Sequence, residues 1–76
     1  MNFNEFLTEM ADLLEIEVED LNDDFELNNE NFDSVTVVST IALIDEYFDV
    51  TVKGKELAKA ETIGAVLELI KEAKEA

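Results

Sequence analysis

The sequence contains no cysteine, no histidine and no proline, and only two glycines. Each absence narrows what the chain can do. Without cysteine no disulfide staples the fold, and without cysteine or histidine there is no thiolate or imidazole to hold zinc. A Ser-His or Cys-His nucleophilic pair cannot be assembled within the chain, which makes it a poor candidate for a hydrolase. No glycine-rich phosphate loop occurs, and no segment approaches the roughly 20 apolar residues that a membrane span requires. The N-terminal stretch MNFNEFLTEM is acidic and does not read as a signal or transit peptide. A soluble, cytoplasmic protein is the expectation, and the lack of cysteine fits a reducing compartment.

Positive charge is also scarce. Five basic residues face 20 acidic ones, for a formal net charge of −15. All five (Lys53, Lys55, Lys59, Lys71 and Lys74) follow Val52, so the first 52 residues carry acids and no base. Such a field repels phosphate backbones and anionic lipid, which argues against nucleic-acid and membrane-surface partners. It either attracts basic patches on protein partners or serves only to keep the surface solvated. The 76 residues allow one compact domain, 1–76, with a thin core, and a monomer is expected.

Apolar residues organise the chain into helices. Phe3, Phe6, Leu7, Met10, Leu13 and Leu14 recur at three- and four-residue steps, the mark of one helical face. Asn2 or Asn4 is suited to cap its start. From Glu15 to Asn31 this order is lost in a stretch dense in Asp, Asn and Glu, whose side chains favour turns. It reads as a long loop pinned to the core by Val18, Leu21, Phe25 and Leu27. A second helix runs from Asp33 or Ser34, alternative caps, to Phe48. Val50, Thr51 and Val52 favour extended backbone. Gly54 opens a short helix over Lys55 to Ala60. Thr62 caps a last helix from Ile63 to about Ala73, with Ile63, Val66, Leu67, Ile70 and Ala73 facing inward. The expected fold is therefore all-α: a small bundle of three longer helices and one short one, without a sheet, and with a long loop between helices 1 and 2.

The second helix is apolar on two sides. Val37, Ile41, Ile44 and Phe48 form the usual core stripe. Val35, Val38 and Ala42 form another, bordered by Ser39, Asp45 and Glu46. Either the preceding loop covers this second stripe or it is offered to a partner as an apolar centre with a polar and acidic rim.

The segment Asn31-Phe32-Asp33-Ser34-Val35, placed after a long acidic loop and at the start of a central helix, resembles the acyl carrier protein family. That family carries an Asp-Ser-Leu tripeptide at this point, with its serine modified by phosphopantetheine. The resemblance extends over nearly the whole chain. It includes a loop phenylalanine, here Phe25, the helix end Asp45-Glu46-Tyr47-Phe48-Asp49-Val50, and the capped start Thr62-Ile63-Gly64-Ala65-Val66. It implies that Ser34, next to Asp33, is the attachment point for a covalent 4′-phosphopantetheine arm. A phosphopantetheinyl transferase would install the arm from coenzyme A, and its thiol would hold cargo as a thioester. It implies no catalytic residue in the chain. It also implies partner contacts on Val35, Val38, Ser39, Ala42, Asp45 and Glu46, made by acyl- or aminoacyl-loading and synthase enzymes with basic docking patches. The sequence departs from the commonest family pattern in four places. Val35 replaces leucine, and Asn31-Phe32 replaces a small Gly-Ala pair. Thr36 and Ser39 stand where acids are frequent, and Val52-Lys53-Gly54-Lys55 is unusually basic. These departures point to a specialised carrier.

On the residues alone, Ser34 also reads as a plain helix cap. Asp20, Asn22 and Asp24 start an EF-hand spacing, but Phe25 stands where glycine is required and Asn31 where glutamate is, so no calcium loop is expected. An aminoacyl-type carrier and an unmodified acidic interaction module remain as alternatives. Ile41, Ile44, Phe48, Ile63 and Val66 either line a pocket for an acyl chain or form a plain core.

Overall fold

The structure, a computed structural model, describes residues 3–75. Four α-helices follow one another among them: α1 (Phe3–Leu14), α2 (Ser34–Phe48), α3 (Gly54–Ala58) and α4 (Ile63–Glu75). A 3-10 turn, Val18–Asp20, interrupts the long connection between α1 and α2. No strand forms among the described residues; a single antiparallel bridge pairs Glu26 with Thr62. The fold is the expected all-α bundle of three longer helices and one short one.

Helix α1 buries Phe6, Met10, Ala11 and Leu14, the stripe its spacing predicts. It ends by a left-handed residue, Glu15, at φ 61°. There the Glu15 N–H donates to the Asp12 carbonyl (3.1 Å) and the Ile16 N–H to the Ala11 carbonyl (2.9 Å). This paired closure satisfies two carbonyls of the last turn. Asn4 lies inside the first turn of α1 and is not its cap; Asn2 lies outside the described residues.

The connection from residue 15 to 33 is ordered by asparagine. The Asn28 carboxamide oxygen accepts from the N–H groups of Glu30 (2.9 Å) and Asn31 (3.0 Å). In return the Asn31 side chain accepts from the Asn28 N–H at 2.8 Å and donates to the Glu26 carbonyl at 3.1 Å. The loop is then stitched to the start of α4 by backbone: Leu27 N–H to Glu61 O (2.8 Å), Ile63 N–H to Phe25 O (3.0 Å) and Gly64 N–H to Asp23 O (2.9 Å). A Cβ on Gly64 would stand 3.1 Å from the Asp23 carbonyl oxygen, so glycine is what permits this approach. Leu21 and Leu27 are buried as expected and Phe25 packs partly buried against the core. Val18 does not pin the loop. It is 43% exposed, because the 3-10 turn directs it outward while Ile16 takes the packing position beside α1.

Helices α2 and α4 complete the core. Ile44, Ile63, Val66 and Ile70 are almost wholly buried, as is Leu57 of α3. Burial of each such side chain stabilises the fold by about 1.5–3 kcal/mol relative to exposure. Helix α3 spans Gly54–Ala58, starting one residue earlier than expected, with Lys59 closing it. Helix α4 continues past Ala73 to Glu75. Its first turn is capped by Thr62, whose hydroxyl accepts from the Ala65 N–H at 3.2 Å. At the far end the Lys74 ammonium donates to the Phe48 carbonyl at 3.0 Å, satisfying an end group of α2 from another helix.

Candidate functional site

The site is built around the first turn of α2. Asp33 is the cap: its backbone is extended and its Oδ1 accepts from both the N–H and the hydroxyl of Thr36, each at 2.9 Å. These bonds favour the charged carboxylate. The Thr36 N–H chiefly, and then the Thr36 hydroxyl, hold Asp33 below its ordinary carboxylate pKa. Of the two caps left open by the sequence, Asp33 takes the role, and Ser34 is released from it.

Ser34 is the first residue of α2 and is exposed. No hydrogen bond engages its hydroxyl among the described residues. The positive end of the helix dipole and first-turn N–H groups lie beside it, a setting that tolerates added negative charge. A cleft of about 340 Å³ opens next to this hydroxyl. Ser34, Val37, Val38 and Ile41 of α2 form one wall, Gly54 and Ala58 of α3 the other, and Asn29, Phe32 and Asp33 its end. Gly54 sets the width: a Cβ there would meet Ile41 Cδ1 at 3.3 Å. Phe32, only 7% exposed, fills the space between the loop and α3.

The expected partner face is open. Val35 is 73% and Val38 66% exposed, and Ala42, Asp45 and Glu46 are exposed along the same side of α2, with Ser39 half-buried at its edge. The loop does not cover this stripe. The opposite stripe holds Val37, Ile44 and Phe48 in the core, with Ile41 half-buried at the cleft. Of the five residues considered for an acyl pocket, only Ile41 reaches this cleft; Ile44, Phe48, Ile63 and Val66 are packed as core.

Two site features were not anticipated. Asn29, Gly54 and Ala58 line the cleft; the small residues at positions 54 and 58, one helical turn apart, were the available signal. Thr40 is fully buried within α2, where its hydroxyl donates to the Thr36 carbonyl at 2.8 Å with Met10 Sδ 3.5 Å away. No group of three or more acidic side chains is placed to hold a metal ion among the described residues. Nor is any described helix long and apolar enough to cross a membrane.

A free hydroxyl at a helix start, flanked by a capping carboxylate and a cleft, fits a tethered prosthetic group. A family model described as a phosphopantetheine attachment site matches residues 4–70. The chain belongs to that family. It is a phosphopantetheine carrier, consistent with the acyl carrier protein family, and its cofactor is covalent 4′-phosphopantetheine. Comparison with curated proteins gave no match, and comparison with solved structures gave none. Carrier domains work by interacting with modifying and synthase enzymes and are generally non-catalytic themselves.

Proposed function

We propose that Ser34 carries the 4′-phosphopantetheine arm and that the chain, acting as one monomeric cytoplasmic domain, tethers acyl intermediates for fatty-acid, polyketide or related biosynthetic enzymes. The observation that carries this reading is the exposed, unbonded Ser34 hydroxyl, set at the first position of α2 beside an apolar-walled cleft. When bound, the arm supplies the thiol that this cysteine-free chain lacks and on which an acyl group is held as a thioester.

The chain's own residues prepare the site. Asp33 fixes the first turn, so the Ser34 oxygen projects from a rigid start instead of a frayed one. That oxygen forms a bond to the phosphorus of coenzyme A as the bond to the departing adenosine bisphosphate breaks. Its proton leaves to a base on a phosphopantetheinyl transferase, since the carrier has no histidine of its own. The helix N-terminus would offset the phosphodiester charge once the arm is attached. Val35, Val38 and Ala42, with Ser39, Asp45 and Glu46 at the margin, form the face on which the transferase and the acyl-loading and synthase enzymes dock by basic, partly apolar patches.

The test is intact mass after incubation with coenzyme A and a broad-range phosphopantetheinyl transferase. One added arm, absent in Ser34→Ala, is the expected result. Absence of any mass change with several transferases, or an arm retained in Ser34→Ala, overturns the assignment. Charging the loaded arm with acyl or aminoacyl groups by matched ligases then separates the acyl reading from an aminoacyl one.

A further inference from the structure

Asp33 and Ser34 are adjacent, and aspartate and serine are both strong helix caps with little intrinsic preference between them. Only one can hold the role, and the choice decides the state of the Ser34 hydroxyl. With Asp33 as cap, Ser34 is already helical and the Val37 N–H donates to the Asp33 carbonyl at 2.9 Å. With Ser34 as cap, the helix would begin one residue later. Ser34 would become extended, as Asp33 is now at φ −79° and ψ −178°. Its hydroxyl oxygen would then accept from the Val37 N–H, three residues on, and would no longer be free.

Thr36 separates the two registers. It stands three residues after Asp33, the position whose side chain reaches back towards a cap. Its N–H and its hydroxyl both donate to Asp33 Oδ1, each at 2.9 Å. In the later register the equivalent position is Val37, which has no hydroxyl to give. The hydroxyl bond therefore exists only when Asp33 is the cap, and one hydrogen bond to a charged acceptor shifts such an equilibrium on the order of tenfold. Residue 36 itself is held in the helix either way. The fully buried Thr40 donates its hydroxyl to the Thr36 carbonyl at 2.8 Å, so only the residues before 36 change between the two starts.

We propose that Thr36 is a positioning residue for attachment of the arm: its hydroxyl fixes the cap at Asp33 and so keeps the Ser34 hydroxyl out of the helix's own hydrogen bonds and free to react. This rests on Ser34 as the tether. It gives α2 two exchanging starts, of which the one described above is the reactive one.

The test begins with the intact, unloaded chain. Relaxation-dispersion NMR at the amides of residues 34 and 37 detects a minor second start and its population. Thr36→Val keeps the branched shape and loses the hydroxyl, and is expected to raise that population on the order of tenfold. Thr36→Ser is expected to return it to the wild-type value. Thr36→Val combined with Ser34→Ala is expected to lack the second start, because alanine is a poor cap. Loading from coenzyme A by a broad-range phosphopantetheinyl transferase should follow the same order. For Thr36→Val the KM for the carrier rises as the free-hydroxyl fraction falls, with kcat unchanged, and Thr36→Ser restores it. An unchanged population in Thr36→Val overturns the proposal. Equal exchange in the Ser34→Ala background also overturns it, since that is simple fraying of the helix end, as does a KM that does not track the population. If intact mass shows no arm on the wild type, Ser34 is not the tether and the role of Thr36 falls with it. If the arm attaches and no second start appears in any variant, the tether stands and Thr36 is only structural.

Discussion

Helix α2 carries valine on both of its sides, and the two sides have opposite fates. Val37 is 7% exposed against the core, while Val35 and Val38 are 73% and 66% exposed. The buried side is closed by Thr40, Ile44 and Phe48, the last packed against Phe3 in a tilted and Phe6 in an edge-to-face arrangement at ring-centroid distances of 5.3 Å each. The exposed side has only polar and acidic margins. Apolar surface left in water contributes nothing to folding, so the difference teaches that one face maintains the fold while the other is left open for the docking proposed for it. Position on the wheel, not residue type, separates the two roles.

The largest expected effect breaks the buried side. Phe48→Ala removes a ring with three aromatic neighbours, Phe3, Phe6 and Tyr47, and should destabilise by about 3–5 kcal/mol. A total stability of 5–15 kcal/mol is typical of single domains, so urea denaturation should show a strongly lowered midpoint. Next comes the helix start. Asp33→Ala strips the Thr36 N–H and hydroxyl of their acceptor, and a lower melting temperature with more frequent opening of the first turn of α2 by hydrogen exchange is expected. The Asp33 contribution depends on pH in a definite direction. Its folded pKa is depressed, so the stabilisation is complete above the ordinary carboxylate value and is lost as pH falls through the folded one. A stability curve of the wild type should therefore approach that of Asp33→Asn on the acid side, and parallel curves down to low pH would refute this.

Charge offers a smaller lever. The acids that precede Lys53 repel one another, so added salt should raise the melting temperature at neutral pH, and indifference to salt would refute that repulsion as a destabilising force. Smallest of all is the exposed side. Val38→Asp should change stability by no more than about 0.5 kcal/mol, yet reduce loading by partner enzymes. A joint fall of loading and stability would move Val38 into the core and erase the contrast between the two faces.

Much of this arrangement was legible in the sequence because side chains announce it. The limits of α2 follow from Asp33 at one end and Tyr47-Phe48-Asp49 at the other, and its two stripes follow from the helical period. The inward face of α4 was readable for the same reason. What escaped was carried by backbone or by context. The three bonds from residues 23–27 to 61–64 join main-chain groups and leave no mark on residue choice except Gly64. Val18 is apolar and was placed inward, but the 3-10 turn rotates it out. Thr40 is polar and was left out of the core, but its hydroxyl is satisfied by its own helix. The cleft wall at Gly54 and Ala58 depends on how closely α3 approaches α2, which the small residues at these positions permit but do not specify.

The backbone stitches also set an order of events. They connect segments far apart in sequence, and such contacts form late because the intervening chain must first be closed into a loop. Helix α1 needs only its neighbours to form, whereas residues 23–27 of the loop take their place beside α4 only when residues 61–64 arrive to pair with them. That segment is thus expected to be among the last parts of the molecule to settle. An enzyme that touched residues 23–27 would meet their final shape only on chains whose fourth helix has already docked.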